Sequence, residues 1–132
     1  AGEAFGKSRV KRALAAEGYT AMARMMREIR FAERVDEATS ILGAHPGSLT
    51  LWASANGGET TRVFSLAGDA LFLTEGSGEP RPLSRGIRVT NLVFYLRDAP
   101  QAVRVEMTAE SSYKSLSDTR KFYGTAVLRG GN

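Results

Sequence analysis

One long amphipathic segment near the N-terminus, followed only by strand and turn patterns, most constrains how this chain folds. From Tyr19 to His45 the apolar residues recur at steps of three and four, which keeps one side of a helix apolar for about six turns. These residues are Met22, Met25, Met26, Ile29, Ala32, Val35, Ala38, Ile41 and Leu42. The spacing predicts one continuous helix over residues 19–42, whose apolar face packs on a sheet.

The other side of this segment is charged, with Arg24, Arg27, Arg30, Glu33, Arg34 and Glu37. Gly43 suits the left-handed conformation that ends many helices, and Pro46 prevents continuation. Because such a helix is longer than a small sheet can cover, we expect part of it to contact other proteins. The candidate contact residues are Met22, Met25, Met26, Arg27 and Arg34. The charges at Arg24, Arg27, Glu33 and Arg34 are either solvated or pair with a neighbouring helix.

Residues 1–18 are rich in alanine and charge, and they are interrupted by Gly6 and Gly18. They suit an N-terminal extension of the helix, which we expect to be frayed or bent at Gly18, since glycine costs about 1 kcal/mol relative to alanine inside a helix. We expect these turns to pack on little within the chain. The chain is therefore divided into a helix extension, residues 1–18, and a single globular domain, residues 19–132.

Beyond Pro46 the apolar period changes to two, which predicts strands. The predicted strands are Leu49–Ala53, Thr61–Leu66, Ala70–Thr74, Ile87–Arg97, Val103–Met107 and Phe122–Leu128. Turns are predicted at residues 56–58 and 68–69, a bulge near Thr90, and a polar loop over Ser111–Asp118. Sheet or core contacts are expected from Val89, Phe94, Val103, Val105, Val127 and Leu128. The predicted class is α+β, with one long N-terminal helix packed on an antiparallel sheet of four to six strands.

The net charge of +4 invites a nucleic-acid interpretation, but the charges are dispersed. Residues 1–47 hold eight basic and six acidic side chains, and residues 48–132 hold ten and eight. A surface that follows phosphates concentrates lysine and arginine on one face. The one basic cluster is Lys7, Arg9, Lys11 and Arg12, which suits either a solvated helix start or a contact with anionic lipid or a partner.

The sequence offers no recognisable catalytic constellation. It has no cysteine, and its only histidine, His45, directly precedes Pro46. No serine stands in a nucleophile-elbow sequence, and the acidic residues are scattered singly over predicted strands and turns. We therefore predict no catalytic, cofactor-binding or metal-binding residues, and no enzymatic activity.

Four segments follow one another in a distinctive order. They are MARMMREIRFAERVDEATSI at residues 22–41, VFSLAGDALFL at 63–73, VTNLVFY at 89–95 and FYGTAVLR at 122–129. The residues of these segments and the spacing between them resemble those of the minor pilins and pseudopilins, the pilin-like proteins of type IV pili and type II secretion systems. The first segment is similar to the second half of that family's long helix, and the last to its closing strand.

The resemblance implies a structural subunit whose partners are other minor pilin or pseudopilin subunits. In this family an apolar first half of the helix anchors the protein in the inner membrane, and the domain lies in the periplasm or outside before it joins a pilus or pseudopilus. No segment here reaches the roughly 20 apolar residues that span a bilayer. We therefore expect this chain to be the part outside the membrane. The resemblance implies no cofactor and no small-molecule substrate.

Two other classes of function are considered. One is an extracytoplasmic binding module, for example for DNA during DNA uptake, which would bind with a steep salt dependence. The net charge of +4 and the exposed tyrosine or tryptophan positions on strands are its support. The other is a small enzyme, for which the sequence offers no constellation of residues.

Overall fold

A helix of thirty residues begins the fold, and every later element is a strand. The computed structural model describes the backbone of residues 2–130 and the side chains of residues 6–130. Helix α1 spans Gly2–Phe31. This order of elements confirms the α+β class, with an N-terminal helix on antiparallel sheets. No helix within residues 2–130 is long and apolar enough to cross a membrane.

Eight strands form two antiparallel meanders. They are β1 (Ala32–Val35), β2 (Leu49–Ala55), β3 (Gly58–Ala67), β4 (Ala70–Glu75), β5 (Arg81–Pro82), β6 (Arg88–Arg97), β7 (Ala102–Tyr113) and β8 (Leu116–Val127). Strands β1 to β5 form the first sheet and β6 to β8 the second, each in chain order. The antiparallel pairing agrees with the prediction, but the strands divide into two sheets of five and three instead of one sheet of four to six. Alternation predicts which residues face the core, but it does not predict where the backbone pairing between successive strands is interrupted.

Helix α1 ends eleven residues earlier than the predicted boundary at Leu42, because β1 pairs with β2. A register shift between Ala32 and Arg34 sets two residues of β1 against one of β2. This bulge places Ala32 and Val35 on the same inner face, and both are buried. Three-residue spacing is also what a helix would show, so the bulged strand imitates helical periodicity.

The residues beyond β1 depart further from the helix prediction. Ala38 is exposed in a turn, and Leu42 is only half-buried. Gly43 does have a left-handed φ of 73°, but it lies far from the end of α1, and its N–H donates to the Phe94 carbonyl at 2.8 Å. The backbone of this segment therefore bonds to β2, to β6 and across its own loop between Ile41 and Ser48, and not in the pattern of a helix.

The N-terminal turns of α1 pack closely on the chain, which contradicts the expectation that they contact little. Val10 and Leu14 are 2% and 1% exposed and belong to the common core. Gly18 is buried inside the helix and is neither a bend nor a frayed start. An added Cβ at Gly18 would overlap the ring of Phe122 on β8, so the glycine lets the helix approach this strand. Side chains of residues 1–5 lie outside the described residues.

The core lies between α1 and the inner faces of both sheets. Its largest fully buried side chains are Phe64, Phe94, Leu14, Met25, Ile29, Leu49, Leu51, Leu71, Leu73, Leu92, Met107 and Leu128. Five of the six residues expected to make sheet or core contacts are buried, namely Val89, Phe94, Val103, Val105 and Leu128. Val127, the sixth, is 49% exposed on the outer face of β8.

The hairpins follow the turn chemistry of the sequence, with one exception. Asn56 and Gly57 turn with φ of 40° and 84°, as the Asn-Gly pair predicts. The predicted bulge in β6 lies between Val89 and Asn91. Ser111–Asp118 is not a polar loop, because β7 and β8 pair through this region around a tight turn at residues 114–115. The end of this hairpin contacts the core, because Tyr113 and Leu116 pack against it and Ser111 is buried.

We expect Gly18→Ala to lower the free energy of unfolding by about 1 to 2 kcal/mol. The overlap with Phe122 outweighs the gain in helix propensity, which is about 1 kcal/mol. Urea unfolding measures the change. Gly58→Ala is the matched control, because a Cβ there meets nothing within 4 Å. Replacing Phe122 by leucine in the Gly18→Ala background is expected to recover part of the loss. Unchanged or increased stability of Gly18→Ala would contradict this close packing.

Candidate functional site

One side of α1 faces solvent and carries a run of arginines. Arg9, Arg12, Arg27 and Arg30 are all exposed, and at 100° per residue they lie within about 60° of one another around the helix. We call these four residues the arginine face. The exposed residues between them around the helix are Ala16 and Ala23, and the face is bordered by Thr20 on one side and by Tyr19, which is 55% exposed, on the other. Within residues 6–31, Glu17 and Glu28 lie on other sides of the helix, so this face carries positive charge only.

The acidic residues of α1 are directed toward other parts of the chain. Glu17 accepts a hydrogen bond from the backbone N–H of Arg85 at 2.8 Å, and Glu28 is 5% exposed. Neither carboxylate therefore neutralises the arginine face. At the N-terminal end of this face, the Arg9 guanidinium lies 4.6 Å from the centroid of the Tyr113 ring, a cation–π contact that orients it.

The five predicted contact residues do not form one surface. Met22 and Met25 are 6% and 0% exposed and serve the core of this chain. Met26 is half-buried against β8. Arg27 belongs to the arginine face, whereas Arg34 lies on β1 because the helix has already ended. Their role in contacts between subunits stays a prediction.

Arg34 has partners within the chain. Its Nη1 donates to a Glu59 carboxylate oxygen at 2.7 Å, and its guanidinium lies 5.0 Å from the centroid of the Trp52 ring. Trp52 Nε1 donates to Asp36 at 3.2 Å. This exposed ion pair is expected to contribute no more than about 1 kcal/mol to stability. Glu33, also expected to pair with another helix, lies on β1 near Ser54, whose hydroxyl is 3.4 Å from its carboxylate.

A buried carboxylate near the end of α1 was not predicted from the sequence. Glu28 accepts hydrogen bonds from Arg24 Nε at 3.1 Å and from Arg62 of β3. Arg24 Nη2 also lies 3.3 Å from Glu75 of β4, which accepts a 2.6 Å hydrogen bond from Arg81. We call these five residues the arginine–glutamate cluster. A charge this deeply buried requires such partners, because desolvation otherwise disfavours it.

The sequence contains one signal for this cluster. Glu28 occupies a position in the apolar series Ala21, Met25, Glu28 and Ala32, so the helical spacing directs it toward the core. Arg62 lies on β3 opposite Leu51 and Glu75, on the inner face of the first sheet. The sequence alone does not show that β3 and β4 lie against the helix near Glu28.

The one histidine of the sequence, His45, forms a hydrogen bond with a strand of the second sheet. His45 Nδ1 accepts a hydrogen bond from the Leu92 backbone N–H at 2.9 Å, which connects the loop after β1 to β6. No group of three or more histidine, aspartate or glutamate side chains in this part of the chain is placed to hold a metal ion.

Comparisons with models of protein families, with curated proteins and with solved structures give no match to this chain.

We expect Glu28→Gln to lower the free energy of unfolding by about 2 to 4 kcal/mol, because it removes the charge that compensates Arg24 and Arg62. Chemical denaturation checks this value. Glu59→Gln makes the same chemical change in the exposed pair with Arg34 and is expected to cost less than about 1 kcal/mol. An equal decrease in the free energy of unfolding in the two variants would contradict a larger contribution from the buried Glu28.

Proposed function

We propose that this chain is a non-enzymatic structural subunit, a minor pilin or pseudopilin of a type IV pilus or a type II secretion pseudopilus. In this proposal it assembles with other pilin-like subunits through its N-terminal helix. The family's apolar half-helix precedes the part described here and anchors the protein in the inner membrane. The two sheets form the head that faces outward in the assembled filament.

The observation that carries the proposal is the arginine face, which spans α1 from Arg9 to Arg30. The opposite side of the helix is occupied by the core of its own chain, so this is the helix side available to a neighbour. Small residues at Ala16 and Ala23 lie in the middle of this face, and the exposed Tyr19 ring borders it. The positive charges at both ends favour a neighbour that carries acidic residues. The four segments that resemble pilin-like proteins support the same assignment.

We expect the full-length protein, extracted from the membrane in detergent, to co-purify with one or more pilin-like subunits. The double charge reversal Arg27→Glu and Arg30→Glu should abolish or strongly reduce this association, because it places like charges against an acidic partner. Arg97→Glu with Arg129→Glu is the matched control. It changes the net charge equally at exposed positions outside the helix. Quantitative mass spectrometry of the purified material measures the partner.

Loss of the partner in both double variants would indicate a general charge effect and would contradict assembly through α1. Failure of the wild-type protein to retain any pilin-like subunit would contradict the proposed function itself. Urea unfolding of all variants ensures that the comparison is made between folded proteins.

A second candidate function is duplex DNA binding, which the purely basic arginine face favours. If all four arginines contacted phosphates, log K would fall with log salt at a slope of about −3 to −4. We expect instead only weak binding to duplex DNA at physiological salt. Fluorescence anisotropy with a labelled duplex over a range of salt concentrations distinguishes binding through four arginine–phosphate contacts from weak binding. Saturable binding with that slope, lost in Arg27→Glu with Arg30→Glu, would replace the subunit proposal.

A further inference from the structure

A shallow pocket of about 390 Å³ lies beside the C-terminal turns of α1. Its lining residues are Arg24, Arg27, Glu28, Phe31 and Arg62. Three guanidinium groups and one carboxylate give the lining a net charge of +2. The pocket joins the arginine face to the arginine–glutamate cluster, because Arg27 belongs to the first and the other charged residues to the second.

The one carboxylate in this pocket is already committed to its neighbours. Glu28 is 5% exposed and accepts hydrogen bonds from Arg24 and Arg62, so it stabilises these two side chains and offers little charge to solvent. The side chains of Arg24 and Arg62 nevertheless remain 38% and 26% exposed. A guanidinium carries five N–H groups, and these contacts use only some of them.

Arg27 has no ion-pair partner within the described residues, and it is exposed at the pocket. Phe31 is 58% exposed beside it, an unusual position for a phenylalanine. Phe31 is the one apolar side chain among the pocket's lining residues, and its ring offers a surface on which the methylene groups of an acidic side chain can pack. Arginine next to an exposed aromatic ring is also the composition found at the centres of protein interfaces.

From these features we infer that the pocket binds a carboxylate group, supplied by an acidic side chain of a partner subunit. This inference rests on the proposed function, and it specifies which chemistry the partner must present to the end of α1. The guanidinium of Arg27 pairs with the carboxylate, and Phe31 covers the apolar part of the acidic side chain. Arg24 and Arg62 contribute positive charge while Glu28 holds them in place.

The test uses an isolated peptide rather than the unidentified partner. The probe is a capped peptide of alternating glutamate and glycine, and the same peptide with glutamine is the neutral comparison. Isothermal titration at low ionic strength measures affinity, and chemical-shift changes at the amides of residues 24–31 report the location. We expect binding of the glutamate peptide only, with shifts confined to the pocket.

Three variants test the residues of the pocket. Arg27→Gln is expected to weaken binding about tenfold or more, since a hydrogen-bonded charge pair is lost. Phe31→Ala is expected to weaken it severalfold. Arg97→Gln is the matched control, because it removes the same charge at an exposed position on β6, outside both the arginine face and the pocket. It should change affinity less than about threefold. Urea unfolding confirms that each variant folds.

Several results would overturn the inference. They are no binding of the glutamate peptide, equal weakening by Arg27→Gln and Arg97→Gln, or equally tight binding of inorganic phosphate, which would make this a general oxyanion site. Failure of the proposed function is distinguishable. If the peptide binds as expected but no pilin-like subunit co-purifies, the carboxylate site stands and the subunit assignment fails. If a subunit co-purifies and the peptide does not bind, the site fails alone.

Discussion

The close approach of α1 to β8 is the contact on which the rest of this fold depends. Glycines make it possible from both sides: Gly18 on the helix accommodates the Phe122 ring, and Gly124 on the strand lies below Met22 and Met26. A Cβ at Gly124 would come within 2.8 Å of both methionine side chains. Protein cores are packed densely enough that such distances decide where an element lies. The helix is therefore held in one position over the second sheet.

This position of the helix determines which of its residues are exposed to solvent. With Val10, Leu14, Met25 and Ile29 in the core, the opposite side of α1 faces outward along its described length. The arginine face and the pocket beside Phe31 are consequences of that geometry. A rotation of the helix by one residue would expose apolar side chains and bury arginines, which is energetically costly. The interaction surface and the core are thus two results of one packing arrangement.

The sequence patterns predicted the features that depend on residues close together in the chain. The helix, the Asn56-Gly57 turn, the bulge in β6 and most buried strand residues follow from periodicity and turn preferences. The helix end was missed because a bulge gives Ala32 and Val35 the three-residue spacing of a helix. The division into two sheets and the meeting of Glu28 with Arg62 depend on contacts between distant segments. Of the candidate contact residues, only Arg27 lies on the arginine face, because Met22 and Met25 are buried in the core and Arg34 lies beyond the end of the helix.

The direct change from helix to strand at residue 32 has a mechanical consequence. No loop separates Phe31 from β1, so the chain has no slack at this junction. The Ala32 carbonyl accepts from the Gly130 N–H at 3.3 Å, and the Val35 N–H donates to the side chain of Gln101 at 3.1 Å. Tension applied along α1 would pass directly into β1 and load the hydrogen bonds that join it to β2. The helix and both sheets would then respond to an axial force as one body.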